Sequence, residues 1–121
     1  PREQEEAAQT YVSQIRKEDG RIDWSLPALT LWRRVRAYYP WPGSFTAWAG
    51  KTLKITAAAP REGNPARPGT VLASGGEDRL DIATGDGILS VARLQPAGRR
   101  EMTAREFLAG RPDIIGGVLP S

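Results

Sequence analysis

Ala28, Leu31, Trp32, Val35 and Tyr39 recur at helical spacing, and at about 100° per residue they share one face. This predicts a helix within "DWSLPALTLWRRVRAYYP", with Ser25 as N-cap and Pro27 where a missing N–H costs little. Pro40 restricts Tyr39 and stops it. Arg33 and Arg34 project from the opposite side, and Arg36 falls at the margin. After the helix the period drops to two. "SFTAW" and "TLKITAA" read as strands around a turn at Gly50 and Lys51, with Leu53, Ile55 and Ala57 alternating against Lys54 and Thr56. "TVLAS", "RLDIAT" and "ILSVARL" follow as short strands, and the Asp-Gly of "TGDG" marks a hairpin between the last two.

The ends are weaker in pattern. Residues 1–20 are polar, with Glu3, Glu5 and Glu6 suiting the start of a short helix after Pro1, and read as a linker or arm. "PREGNPARPG" is a surface loop. A short helix begins at Thr103, with Thr103 and Glu106 spaced as a capping box and Gly110 as its stop. "RPDIIGGVLPS" reads as a loose tail, so residues 21–111 form the domain and 112–121 the tail. The expected fold is mainly β: a small OB-fold-like antiparallel β-barrel with a preceding helix and a short C-terminal helix. Closure into a barrel would remove exposed strand edges.

Composition narrows the chemistry. A chain of 121 residues suits one domain with a core of its own. Without cysteine there is no disulfide framework or thiolate metal site, and without histidine the commonest general base and imidazole ligand are missing. No apolar run is long enough to span a bilayer, so no membrane partner is expected and the cytoplasm is the default. The first residue, Pro1, suggests processing or a piece of a longer chain. "TGDG" lacks the frame of a phosphate loop, Asp86 belongs to turn chemistry, and Asp81 is placed on the polar face of its strand. No catalytic, cofactor or metal site is expected in this chain.

Charge distribution adds more than the net value of +3. From Trp24 to Arg61 there is no Asp or Glu, while Arg33, Arg34, Arg36, Lys51, Lys54 and Arg61 all occur there. Seven of the nine aromatic residues lie between 24 and 48. Aromatics beside a helix and strands usually fill a core, so Trp32 and Trp41 are expected to be largely buried at the junction of helix and barrel. A solvated helix face normally mixes signs. Six cations without an anion therefore make an anionic partner a serious competitor to a merely solubilising face.

The motifs "KEDGRIDWSLPA", "VRAYYPWPGSFT", "IATGDGILSVARLQPAGRREM" and "AREFLAG" resemble, in order and from about Tyr11 to Gly110, the C-terminal domain of methionyl-tRNA formyltransferase. The resemblance implies an OB-fold-like barrel that holds initiator methionyl-tRNA for an N-terminal catalytic domain. That missing domain would bind 10-formyltetrahydrofolate and formylate the methionine, so no cofactor is expected here. By motif, Lys17, Arg36, Arg99 and Arg100 correspond to basic positions of the family. Arg33, Arg34, Lys51 and Lys54 join the candidate tRNA-binding set from charge mapping. Tyr39 departs from the family's usual Asn. A monomer is expected. The alternatives are a structural buttress for the catalytic domain and the equivalent domain of a sugar-nucleotide formyltransferase.

Overall fold

Why the chain closes around one core follows from six strands and the segments that cover their edges. The computed structural model describes residues 16–63 and 66–120; the helix expected after Pro1 lies outside them. A 3-10 turn (Lys17–Gly20) precedes α1 (Ala28–Ala37), β1 (Ser44–Trp48), β2 (Lys51–Arg61) and β3 (Val71–Leu72). A second 3-10 turn (Ala73–Gly75), β4 (Leu80–Ala83), β5 (Ile88–Pro96), β6 (Met102–Thr103), α2 (Ala104–Gly110) and a last 3-10 turn (Pro112–Ile114) follow. The strands pair antiparallel in the order β1-β2-β5-β4-β3, with β6 also on β5.

The expected mainly β architecture, with one helix before the sheet and a short one after it, is what the chain forms. Its two hairpins are local. Ala49 and Gly50, both at positive φ, make the tight link between β1 and β2. Thr84 and Gly87 close the link between β4 and β5, where the Thr84 N–H donates to the Gly87 carbonyl at 3.1 Å. β2 changes register against β5 on either side of Ala57, and such irregularities bend a strand. The bent sheet is a half-barrel.

Among the described residues β1 and β3 do not pair with each other, and backbone from both ends of the chain covers those edges. The Ile22 N–H donates to the Phe45 carbonyl of β1 at 2.9 Å. Beside β3, the Val71 N–H donates to the Gly117 carbonyl and the Leu119 N–H to the Gly69 carbonyl, each at 2.8 Å. The Trp24 indole N–H donates to Thr46 Oγ1 at 3.3 Å, and that hydroxyl donates to the Pro120 carbonyl at 3.1 Å. The segment after α2 is therefore not a loose tail. Ile114 and Leu119 are buried in the core, because the gap between the two sheet edges needs apolar filling.

α1 begins at Ala28, with Pro27 rather than Ser25 at the cap. Ser25 instead donates from both its N–H and its hydroxyl to Asp23 Oδ1. The start of the helix is met by the "TGDG" loop: the Ala28 N–H donates to the Asp86 carbonyl at 2.9 Å and the Gly85 N–H to the Leu26 carbonyl at 3.2 Å. Gly85 lies so close to the Ser25 carbonyl that a Cβ there would overlap it. The Thr103–Glu106 capping box at α2 forms as expected.

Three burial expectations change. Leu31 and Val35 take the centre of the α1 face, which leaves Trp32 only partly buried against the core. Trp41 is 60% exposed and Tyr39 57%. Here the Gly43 N–H donates back to the Tyr38 carbonyl, so the intervening loop swings outward and Pro42 turns in instead. Asp81 does not face solvent but is fully buried, because β4 is covered on both faces. Ser90 donates to its Oδ1 at 2.6 Å, while Ser74 and Arg61 donate to Oδ2 at 2.8 and 2.9 Å.

Candidate nucleic-acid interface

The core face of α1 fixes the outward direction of its cations. With Leu31 and Val35 buried, Arg33, Arg34 and Arg36 are all exposed, as their helical phase requires. The Arg36 guanidinium carbon sits over the Trp32 ring, 5.0 Å from its centre, an attractive cation–π distance. Arg34 and Arg36 also occupy the last turn of α1, where unpaired carbonyls favour positive charge. Arg34 lines a small cleft with Asp19, Gly20 and Tyr38. Near it, Asp23 is held below the usual carboxylate range by the hydroxyl and N–H of Ser25, with a smaller contribution from Arg34.

Lys54 lies on β2 opposite Phe45 of β1 and Gln95 of β5. Its half-buried stem runs along Gly43, whose positive φ and lack of a side chain leave room for it. Gly20 packs against the Gly43 carbonyl. The exposed turn that carries Lys17, the Gly43 backbone, Lys54 and Arg34 are thus neighbours around one stretch of surface.

A second group forms at the turns of the sheet. The Ala97 N–H donates to the Thr52 carbonyl at 2.9 Å, which fastens the turn after β5 to the start of β2. Lys51 and Arg99 consequently line one cleft, together with Arg111, Trp48 and Phe107. Sequence reasoning passed over Arg111 because it lies beyond the last helix, at the boundary set between domain and tail. The stop signal at Gly110 obscured a cation that folds back over Phe107 at 5.0 Å.

Arg100 behaves differently from its neighbour. It approaches Glu106 at 3.3 Å. Glu106 is held below the ordinary carboxylate range by the Thr103 N–H first and by Arg100 second, so it is ionised at neutral pH and offsets that arginine. Glu101 is likewise lowered, chiefly by the Arg93 guanidinium and then by the Thr56 hydroxyl, which occupies Arg93. Arg61 is turned to Asp81. Among the described residues, Lys17, Arg33, Arg34, Arg36, Lys51, Lys54 and Arg99 form no ion pair, although Arg34 and Lys54 lie near enough to Asp23 and Glu101 to help lower those carboxylates. The described residues hold no cluster of acids arranged for a metal ion.

Comparison with known proteins decides the family. The family described as formyl transferase, C-terminal domain, matches residues 14–112. The chain belongs to this family. It is similar to proteins named methionyl-tRNA formyltransferase from Gluconacetobacter diazotrophicus, 48% identical over 93% of this chain and 36% of the relative. The relative of the same name from Myxococcus xanthus is 51% identical over 79% of this chain and 30% of its own. The chain thus spans about a third of the length of these relatives. Among solved structures it resembles HypX from Aquifex aeolicus in complex with tetrahydrofolic acid, with a TM-score of 0.67 and 25% identity. That likeness covers 87% of this chain and 18% of HypX. A formyl transferase C-terminal domain is therefore a half-barrel whose helix and sheet turns here carry two groups of cations. No described helix is long and apolar enough to cross a membrane.

Proposed function

We propose that this chain is the tRNA-holding domain of a methionyl-tRNA formyltransferase, working in the cytoplasm in translation initiation. The observation that supports it is a set of seven cations that form no ion pair among the described residues, on a chain whose relatives carry that name. Arginine and lysine would neutralise tRNA phosphates, giving affinity and orientation rather than base reading. Lys17, Arg33, Arg34, Arg36, Lys51, Lys54 and Arg99 are the residues for this work, and Arg100 contributes less because Glu106 faces it. Formyl transfer, and 10-formyltetrahydrofolate with it, would belong to a separate catalytic portion.

A buttress role toward such a portion is a second reading, favoured by the exposed pair Tyr39 and Trp41, since large aromatics are more often covered. The two readings separate in a filter-binding titration with initiator and elongator tRNA at two salt concentrations. The tRNA reading expects both to bind with similar, strongly salt-dependent affinity. Absence of binding at low salt would overturn it and leave the buttress.

A further inference from the structure

The cleft between the β1–β2 turn, the turn after β5 and the end of α2 holds about 250 Å3. Its chemistry differs from that of the open helix face. One wall is aromatic: Trp48 meets Phe107 edge-to-face with ring centres 5.8 Å apart. Three cations, Lys51, Arg99 and Arg111, line it, and no carboxylate does. Its frame is fixed by backbone. The Ala97 N–H is bonded to Thr52, the Arg99 N–H donates to the Pro96 carbonyl at 3.1 Å, and the Arg99 carbonyl accepts from Gln95 at 2.9 Å. Arg111 is held over Phe107 by its own ring contact and by backbone bonds to the Phe107 and Leu108 carbonyls. An aromatic wall with cations beside it suits a planar ring bearing a phosphate, because every base offers a π-face while the phosphate needs forked donors. The volume lies below the range of about 300–1,000 Å3 of ordinary ligand pockets, which favours a single nucleotide over a larger cofactor.

We infer that this cleft is a nucleotide subsite, in which an unpaired base lies against Trp48 and its phosphate is held by Lys51, Arg99 and Arg111. The nucleotide can be free or an unpaired residue of an RNA. Only the second source rests on the tRNA reading. The test follows the Trp48 indole N–H signal by NMR in the full chain. Additions are adenosine 5′-monophosphate, inorganic phosphate, a single-stranded oligoribonucleotide and an RNA duplex without unpaired residues. The nucleotide and the single strand should shift the Trp48 signal at concentrations where phosphate and duplex do not. Arg111→Gln should weaken this response about tenfold, whereas Arg105→Gln, outside the cleft and paired with Asp78, should leave it unchanged.

A single strand that shifts Trp48 when the mononucleotide does so too supports an RNA source. A mononucleotide that acts alone supports a free ligand, and the subsite then stands even where tRNA binding fails. If Trp48 responds to neither, or equally to duplex and phosphate, the cleft is only a charged surface and the inference is wrong. Trp48→Phe keeps an aromatic wall and provides a check through the Phe107 ring signals, which should still move with the nucleotide.

Discussion

At the scale of single residues, tryptophan shows how far identity alone carries. Sequence pattern placed Trp32 and Trp41 in the core, yet the fully buried one is Trp24, whose side chain is 0% exposed and bonded to Thr46. A tryptophan announces area to be covered but not which element supplies the cover. Trp24 lies on the segment that seals the edge of β1, whereas Trp41 lies on a loop that the Gly43–Tyr38 bond turns outward. Trp24→Ala should cost about 3–5 kcal/mol in urea unfolding, the range for a large aromatic removed from a core. Trp41→Ala should stay within about 0.5 kcal/mol, as surface changes do. Equal costs for the two would contradict this assignment. Asp81 teaches the same lesson for polar residues: alternation predicts an outward side chain only where one sheet face meets water, and β4 is covered on both.

At the scale of elements, what was legible was local. The helical phase of α1, the hairpin at Asp86-Gly87 and the capping box at Thr103 each depend on residues within a few positions of one another. The register shifts in β2 and the fate of the last ten residues do not. "RPDIIGGVLPS" lacks strand alternation and is interrupted by Gly116 and Gly117, so it carries no periodic signal. Its order comes from partners far along the chain, in Gly69–Val71 and Thr46. Gly69, at positive φ, passes so close to the Leu119 carbonyl that a side chain there would overlap it. Leu119 is thus a core residue that happens to be near the end. Leu119→Ala should cost about 2–5 kcal/mol by denaturant unfolding. A loss below about 0.5 kcal/mol is what a loose tail would give, and would show that the edge of β3 does not need this cover.

At the scale of the molecule, the sequence disclosed where cations are in excess but not which of them remain unpaired, because pairing is a long-range property. The acid-free stretch from Trp24 to Arg61 contains Arg61, yet that arginine reaches across the sheet to Asp81. Arg99 and Arg100 are adjacent, yet only Arg100 meets an acid. These differences set up a discriminating measurement on tRNA binding. Each phosphate neutralised contributes roughly 0.7–0.9 to the slope of log affinity against log salt. Replacing Arg33, Arg34 and Arg36 together with Gln should reduce the slope by up to about 2–3, in proportion to how many touch phosphate. The same change removes Arg34 and Arg36 from the last turn of α1, where each favourable charge is worth about 0.3–1 kcal/mol, so a modest loss of stability is expected under either role. Stability therefore cannot distinguish a binding face from a helix-supporting one, and the salt slope can. Arg100→Gln is the internal comparison: with Glu106 already opposite it, the slope should change by much less than one contact. A triple variant with normal circular dichroism and an unchanged slope would remove α1 from the interface and leave Lys51 and Arg99 to carry the binding.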